Sequence, residues 1–381
     1  MKKILFICHD SNRTGAPLLL LDFMKWLKYN TLIEFDVLLL KEGGLESEFS
    51  KLSTVYLWKA SEPVLPNILI RLFRRITRNY PDHENEYKKN LFEKFQRAKY
   101  DLIYGNTVVS TPLVKELFDF LKLPVIVHIH ELYGITQYFN KALEELVDIP
   151  SLKFIAGSKI NFRNLVDNHF IPEEKIDLIY AFIDVEKWRC VNFEKAHTER
   201  FVISSSGLVQ IRKGAELFIL IAKRSFDKYP EIPWLFNWIG QIDRDSRYYY
   251  ESDISKFGLS GSVCFKGQFE NPESIYSTSD VFLMVSKEEA WGLVCIEHAV
   301  LGKPIVCFDK GTGITEFVEQ GTGVIVKYMD IEAVVDALAT LYNDKELYTR
   351  FSEKAKVLVK DYDIEIQAKK IVDLIENACK I

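Results

Sequence analysis

Along the chain, short apolar runs alternate with longer stretches whose apolar residues return every third or fourth position. The runs Lys3–Cys8, Phe35–Leu40, Thr54–Leu57, Leu102–Tyr104, Val125–His130, Phe154–Ala156 and Asp177–Tyr180 predict strands, and the spacing predicts helices over Ala16–Leu27, Thr111–Leu121 and Lys159–Asn168. The alternation restarts with Phe201–Ser206, a helix over Ala215–Phe226, and runs at Trp234–Ile239, Val263–Lys266, Val281–Val285, Pro304–Phe308 and Val324–Lys327. Strands rich in Ile, Val and Phe on both faces, separated by helices, imply buried parallel sheets in an α/β fold.

Two such series fill 381 residues, a length that suits two domains better than one core. The pattern therefore predicts two doubly wound, Rossmann-like domains, 1–185 and 186–362. The break falls in Asp184–Glu199, which is charged and has no clear period. No short repeat is present, which excludes a solenoid. The last segment, Asp363–Ile381, has helical spacing, with Ile366, Ile371, Leu374 and Ile375 as its expected apolar face.

Composition narrows the class. Hydrophobic residues make up 48% and charged residues 27%, which fits a globular chain and argues against disorder. A net charge of −5 gives no global attraction to nucleic acid, so none is expected as a partner. The six cysteines are scattered, with no C-x-x-C pair, so neither a zinc site nor a disulfide framework is expected and a reducing cytoplasm fits. The opening MKKILFICHD has two lysines and an apolar run, but the run is too short for a signal peptide and is expected to be a first buried strand. No apolar run is long enough to span a bilayer.

In open parallel sheets, ligands bind beyond the carboxyl ends of strands. Five loops in such places carry candidate chemistry. The first, His9–Pro17, holds Gly15, which allows close backbone approach at a helix start. In the second, His128 and His130 are two apart and so point to the same side; a third ligand at suitable spacing is missing, so His130 is expected to make a polar contact with substrate rather than bind metal. The third, Ser204–Gly214, places Arg212 and Lys213 just before Gly214 and a helix, where two cations can clamp a diphosphate. Alone, such a pair is more often simply exposed. The fourth, Gly240–Asp245, imitates a metal-binding D-x-D with Asp243 and Asp245, but its flanks read as solvated and no metal is expected.

The fifth loop carries the most information. In Glu288–Val306, EEAWGLVCIEHAVLGKPIV, seven residues separate Glu289 from Glu297 around Gly292. The preceding strand places Glu289 in a loop, and Gly292 is expected to open a helix carrying Glu297 in its second turn. Amides at Gly292–Val294 then face an anion, with a carboxylate on each side to accept hydrogen bonds from hydroxyls. A later stretch, KGTGITE at Lys310–Glu316, lacks the third glycine of a dinucleotide fingerprint and is expected to be a second loop near phosphate.

The spacing Glu289-x7-Glu297 with Gly292, followed by Gly302-Lys-Pro304, resembles the family 4 (group 1) retaining glycosyltransferases of GT-B fold. Gly15, His130-Glu131, Ser158, Ile183-Asp184, Gly207 through Lys213-Gly214, Phe265-Lys-Gly267 and Gly313-x-x-Glu316 follow in order, so the resemblance spans nearly the whole chain. It implies two domains facing a cleft, with the first on the acceptor side, the second binding a nucleotide sugar, and the helix 363–381 returning to the first. It implies that Arg212 and Lys213 contact the donor diphosphate, that Glu289 binds the transferred sugar and that Glu297 binds the ribose. Trp291, Gly292, Leu293 and Val294 would cover diphosphate and sugar with backbone amides. His130 would touch the donor sugar, Gly15 would border phosphate and acceptor, Gly207 would line the donor, and Lys266 and Gly267 would hold the base.

Three departures stand out. Leu208 replaces a frequent Arg, leaving Arg212 to substitute; Ala181-Phe182 replaces a common Asn-Gly; and Trp291 stands where Phe is usual. The implied activity is a metal-independent hexosyltransferase of bacterial surface polysaccharide, lipopolysaccharide or glycolipid synthesis, with no cofactor. It would use a UDP- or GDP-linked sugar and a glycan or lipid-linked acceptor. A nucleotide-sugar 2-epimerase of the same fold and a non-catalytic nucleotide-sugar-binding protein are the alternatives. Finally, Pro63–Pro81 is basic and amphipathic, with Ile68, Leu69, Leu72, Phe73 and Ile76 among four arginines. It suits either a surface helix or peripheral contact with the inner face of a membrane.

Overall fold

The computed structural model describes residues 2–58, 83–190 and 199–380. The basic stretch 63–81 lies outside the described residues, as do residues 191–198 of the expected linker, whose earlier part forms a short helix, Val185–Arg189, capped by Asp184. Thirteen strands occur among the described residues, each within a few positions of an expected apolar run.

In the first sheet these are β1 (Lys3–Cys8), β2 (Glu34–Leu39), β3 (Val55–Leu57), β4 (Leu102–Asn106), β5 (Val125–Ile129), β6 (Leu152–Ala156) and β7 (Ile176–Leu178). Their order is β3-β2-β1-β4-β5-β6-β7, with β1 parallel to both β2 and β4. The second sheet is built from β8 (Phe201–Ser206), β9 (Trp234–Ile239), β10 (Val263–Gly267), β11 (Val281–Met284), β12 (Ile305–Phe308) and β13 (Gly323–Val326). Its order is β10-β9-β8-β11-β12-β13, with β8 parallel to β9 and β11. Both sheets reverse their strand order once, between β1 and β4 and between β8 and β11. Every residue of β4, β5, β11 and β12 is buried, as strands covered by helices on both faces must be.

Two compact units result. One comprises Met1–Ala156, Leu165–Asp177 and Lys370–Ile381; the other comprises Gly157–Asn164 and Leu178–Lys369. In the first unit, Phe6 packs edge-on against Phe23 and Tyr104 between sheet and helix. In the second, Phe218 does the same against Phe236 and Trp238.

The last helix runs Ile364–Ala378, but its apolar face differs from the expected one. Ile366 is exposed, whereas Ile364, Ala368, Ile371, Ile375 and Ala378 are buried. The spacing of these five follows the helical repeat, and two of them are alanines, which give little apolar signal in sequence.

Candidate active site

In the first unit the loops after β1, β4 and β5 converge on Asn106, the last residue of β4. Its amide nitrogen donates to Ala16 O (3.1 Å), one residue into the helix Gly15–Asn30. Its Oδ1 lies 2.9 Å from His130 Nε2. An amide oxygen can only accept, so His130 Nε2 carries the proton. Asn106 therefore ties the Gly15 helix start to His130, an anchor that the sequence did not reveal. A Cβ added at Gly15 would meet nothing within 4 Å, so this glycine leaves open space at the helix start.

The two histidine rings are in contact, with centroids 4.0 Å apart and planes tilted by 41°, on the same side of the strand end as their spacing required. His128 is buried, with Nδ1 2.9 Å from the Tyr104 hydroxyl. Burial, and then the neighbouring His9, push the His130 imidazole down to about 3, so it is neutral at physiological pH. Glu131 accepts from the amides of His130 and Val108, both at 3.1 Å, and so fixes the loop backbone.

In the second unit the corresponding loops carry charge. After β8, Gly207 leads into a short 3-10 turn, Ile211–Lys213, that ends at Gly214 in the left-handed conformation (φ 79°). A Cβ on Gly214 would lie 2.2 Å from Val285 O, so only glycine lets this loop lie against the end of β11. The contact brings Lys213 to Glu289. The Lys213 ammonium donates to Glu289 Oε2, and Arg212 Nη1 lies 3.9 Å from the same oxygen. Arg212 Nη1 also donates to Glu288 O at 2.7 Å.

Glu289 is held from both sides. Its amide donates to Gly311 O (2.6 Å) and its carbonyl accepts from Gly313 N (3.0 Å), so the KGTGITE loop clamps its backbone. Burial raises the Glu289 carboxyl, but the attraction of Lys213 and Arg212 outweighs it, and the net shift is downward. The Glu289 carboxylate is therefore ionised, and the Lys213 side chain beside it is only 16% exposed.

Gly292 caps the helix Leu293–Val300 at φ 92°, as expected for the residue that opens it. The first-turn amides of a helix have no intrahelical acceptor, so Leu293 and Val294 suit an anion. Glu297 sits in the second turn, half-buried. Near it, the buried Tyr276 hydroxyl hydrogen-bonds Ser206 Oγ at 2.6 Å, a pair the sequence did not single out. Trp291 points its ring elsewhere, against Tyr180 and Tyr362 with centroids 4.9 Å away in each case.

Lys266 and Gly267 end β10, and Gly267 O accepts from Gly240 N at 2.8 Å. A Cβ on Gly240 would lie 2.0 Å from Gly207 O, so three glycines pack together where β8, β9 and β10 end. Gly240 was not among the expected site residues, although its place directly after a strand was the available signal. Asp243, from the D-x-D imitation, caps the helix Arg244–Lys256 by accepting from Asp245 N and Ser246 N. Glu316 accepts from Lys159 N and the Tyr180 hydroxyl, both at 2.7 Å, so its carboxylate organises the loop. No group of three or more metal-ligating side chains occurs among the described residues. No described helix is long and apolar enough to cross a membrane.

Two Rossmann-like domains with these sheet orders define a GT-B protein. A structure from Anabaena, HepE in complex with UDP and glucose, superposes with a TM-score of 0.80 at 18% identity, covering 99% of this chain and 100% of that one. Within the second unit, residues 187–358, somewhat less than half of the chain, match the model of the glycosyl transferases of group 1. An uncharacterized glycosyltransferase of Haemophilus influenzae is 28% identical over 172 residues, which is 45% of this chain and 47% of that protein. The D-inositol 3-phosphate glycosyltransferase of Paenarthrobacter aurescens is 24% identical over 342 residues, or 80% of this chain and 82% of its own.

Proposed function

We propose that the protein is a retaining family 4 glycosyltransferase that moves a sugar from a nucleoside-diphosphate sugar to a hydroxyl acceptor in bacterial glycan or glycolipid synthesis. The observation that carries this reading is the Lys213–Glu289 pair beside Arg212, held at the strand-order reversal of the second sheet. An ammonium has three N–H donors, so Lys213 can keep Glu289 and still donate to a phosphate oxygen. HepE, one of the structural neighbours, was crystallised with UDP, which makes a UDP-sugar the first donor to test.

In this reading Arg212, Lys213 and the amides at Gly292–Val294 neutralise the leaving diphosphate, with no metal required. Such preorganised donors supply several kcal/mol where charge develops. Glu289 hydrogen-bonds the transferred sugar and Glu297 the ribose. His130, neutral and oriented by Asn106, offers an uncharged hydrogen-bonding group to a substrate hydroxyl. The acceptor attacks on the face the nucleotide leaves, with its proton passing to the departing phosphate, so the anomeric configuration is kept without a covalent intermediate.

A panel of UDP-, GDP- and ADP-sugars read by thermal shift identifies the donor. Nucleotide release with and without acceptor then separates transfer from epimerisation or mere binding. Proton NMR of the product's anomeric signal reads the stereochemistry. An inverted anomer overturns the retaining assignment, and no shift with any donor overturns the donor site.

A further inference from the structure

A group of exposed aromatic side chains in the first unit has no part in the chemistry above. The segment after β5 folds into a short helix, Tyr133–Thr136, a 3-10 turn, Gln137–Phe139, and the helix Asn140–Val147. On it Tyr133 is 49%, Ile135 37% and Tyr138 80% exposed; Phe170, at the end of the helix Lys159–His169, is 85% exposed.

Two observations show that this surface is built. Phe170 takes a left-handed backbone (φ 53°), the place after a helix where glycine is the usual residue. A bulky residue there is costly, and yet its ring projects into solvent. His169 pins the two segments together: Nε2 lies 2.6 Å from Thr136 Oγ1, and Nδ1 lies 2.5 Å from Asn140 Oδ1. Because the amide oxygen only accepts, Nδ1–H donates to it and Nε2 accepts from the Thr136 hydroxyl. Tyr133 lies over His169, with centroids 6.2 Å apart. The aromatic groups therefore stand on a fixed base.

Charge then selects the occupant. The adjoining stretches 141–148 and 167–175 contain Glu144, Glu145, Asp148, Asp167, Glu173 and Glu174 against Lys141 and Lys175. Lys141 pairs with Glu145 at 3.8 Å, and Lys175 donates to the carbonyls of Val147 and Ile149. This excess of acidic residues on the adjoining stretches repels an anionic membrane or a phosphate-bearing acceptor. Aromatic faces attract the C–H faces of sugar rings through their quadrupole, and tyrosine offers rigid, amphipathic contact area with a hydroxyl at its edge.

We propose that Tyr133, Tyr138 and Phe170 form a shelf for the non-reacting sugars of a neutral oligosaccharide acceptor, a role that rests on the glycosyltransferase reading and sets acceptor length. The test compares the full chain with a Tyr138→Ser/Phe170→Ser variant on an array of neutral oligosaccharides and on phosphatidylglycerol vesicles. The donor panel is run on both proteins. The wild type is expected to retain oligosaccharides longer than a disaccharide, and the variant to bind them about tenfold more weakly. The donor-induced thermal shift should be the same in both.

Equal glycan binding by the two proteins, or none by the wild type, overturns the shelf. Vesicle retention that the double substitution abolishes overturns it in favour of a lipid surface. Absence of any donor-induced shift in the wild type defeats the glycosyltransferase reading instead, and leaves the glycan comparison separately readable.

Discussion

The two sheets reverse their strand order at matching places, yet the loops there carry opposite kinds of chemistry. At the β1/β4 reversal stand Asn106 and His130, uncharged and hydrogen-bonded to one another. At the β8/β11 reversal stand Arg212, Lys213 and an ionised Glu289. Burial produces both outcomes. In the first unit nothing compensates the desolvated imidazole, so it stays neutral. In the second, a lysine and an arginine keep the carboxylate charged despite burial. One architecture thus offers one uncharged hydrogen-bonding place and another that is charged.

The largest effect should come from removing charge. Lys213→Ala is expected to lower turnover by about 10²–10³-fold, the usual loss for one preorganised donor. His130→Ala should cost less in steady-state assays; a larger loss there would reverse the comparison. Next comes Gly214→Ala, which places a Cβ 2.2 Å from Val285 O at a positive φ. It should destabilise by about 2 kcal/mol or more, seen as a melting temperature lower by several degrees. An unchanged melting temperature would mean that the Lys213 loop is not pinned to β11.

Glu297→Gln keeps the size of the side chain and removes its charge. Donor affinity by calorimetry should fall about tenfold, with turnover at saturation nearly unchanged. Equal loss in both parameters would move Glu297 from ribose binding into the chemistry.

A pH dependence tests the burial of the histidine rings. Burial lowers His128, His130 and His298 below the usual 6.5, the latter two to about 3. The unfolded chain therefore takes up protons first as pH falls below 6.5, so stability declines from there toward 3. Glu289 is lowered below 4.5, so its contribution is present above 4.5 and is lost only as pH falls through that lowered value. Melting temperatures between pH 7 and 5 should drop in the wild type and drop less in His298→Phe. A flat wild-type profile would contradict neutral burial of these rings.

Much of this was legible in the chain. Buried parallel strands are short runs of Ile, Val and Phe, and that signal survives without any tertiary information. Glycines after strands marked turns where the backbone takes a left-handed conformation, as at Gly207, Gly214 and Gly292. The pairing of Lys213 with Glu289 was not legible, because it depends on β8 lying beside β11 rather than on any spacing. Asn106 was hidden for a simpler reason: the apolar run stops at Tyr104, while the strand continues two residues to Asn106. Trp291 was expected to contribute its backbone, and the cluster its ring forms with Tyr180 and Tyr362 joins residues far apart in sequence.

The central claim is that the cations at the β8/β11 reversal hold the donor diphosphate. Calorimetric titration of the best nucleotide sugar into the wild type and Lys213→Ala tests it most directly. The account predicts affinity at least about tenfold weaker in the variant, with a loss that shrinks as salt is raised. Equal affinity in the two proteins at low salt would contradict it.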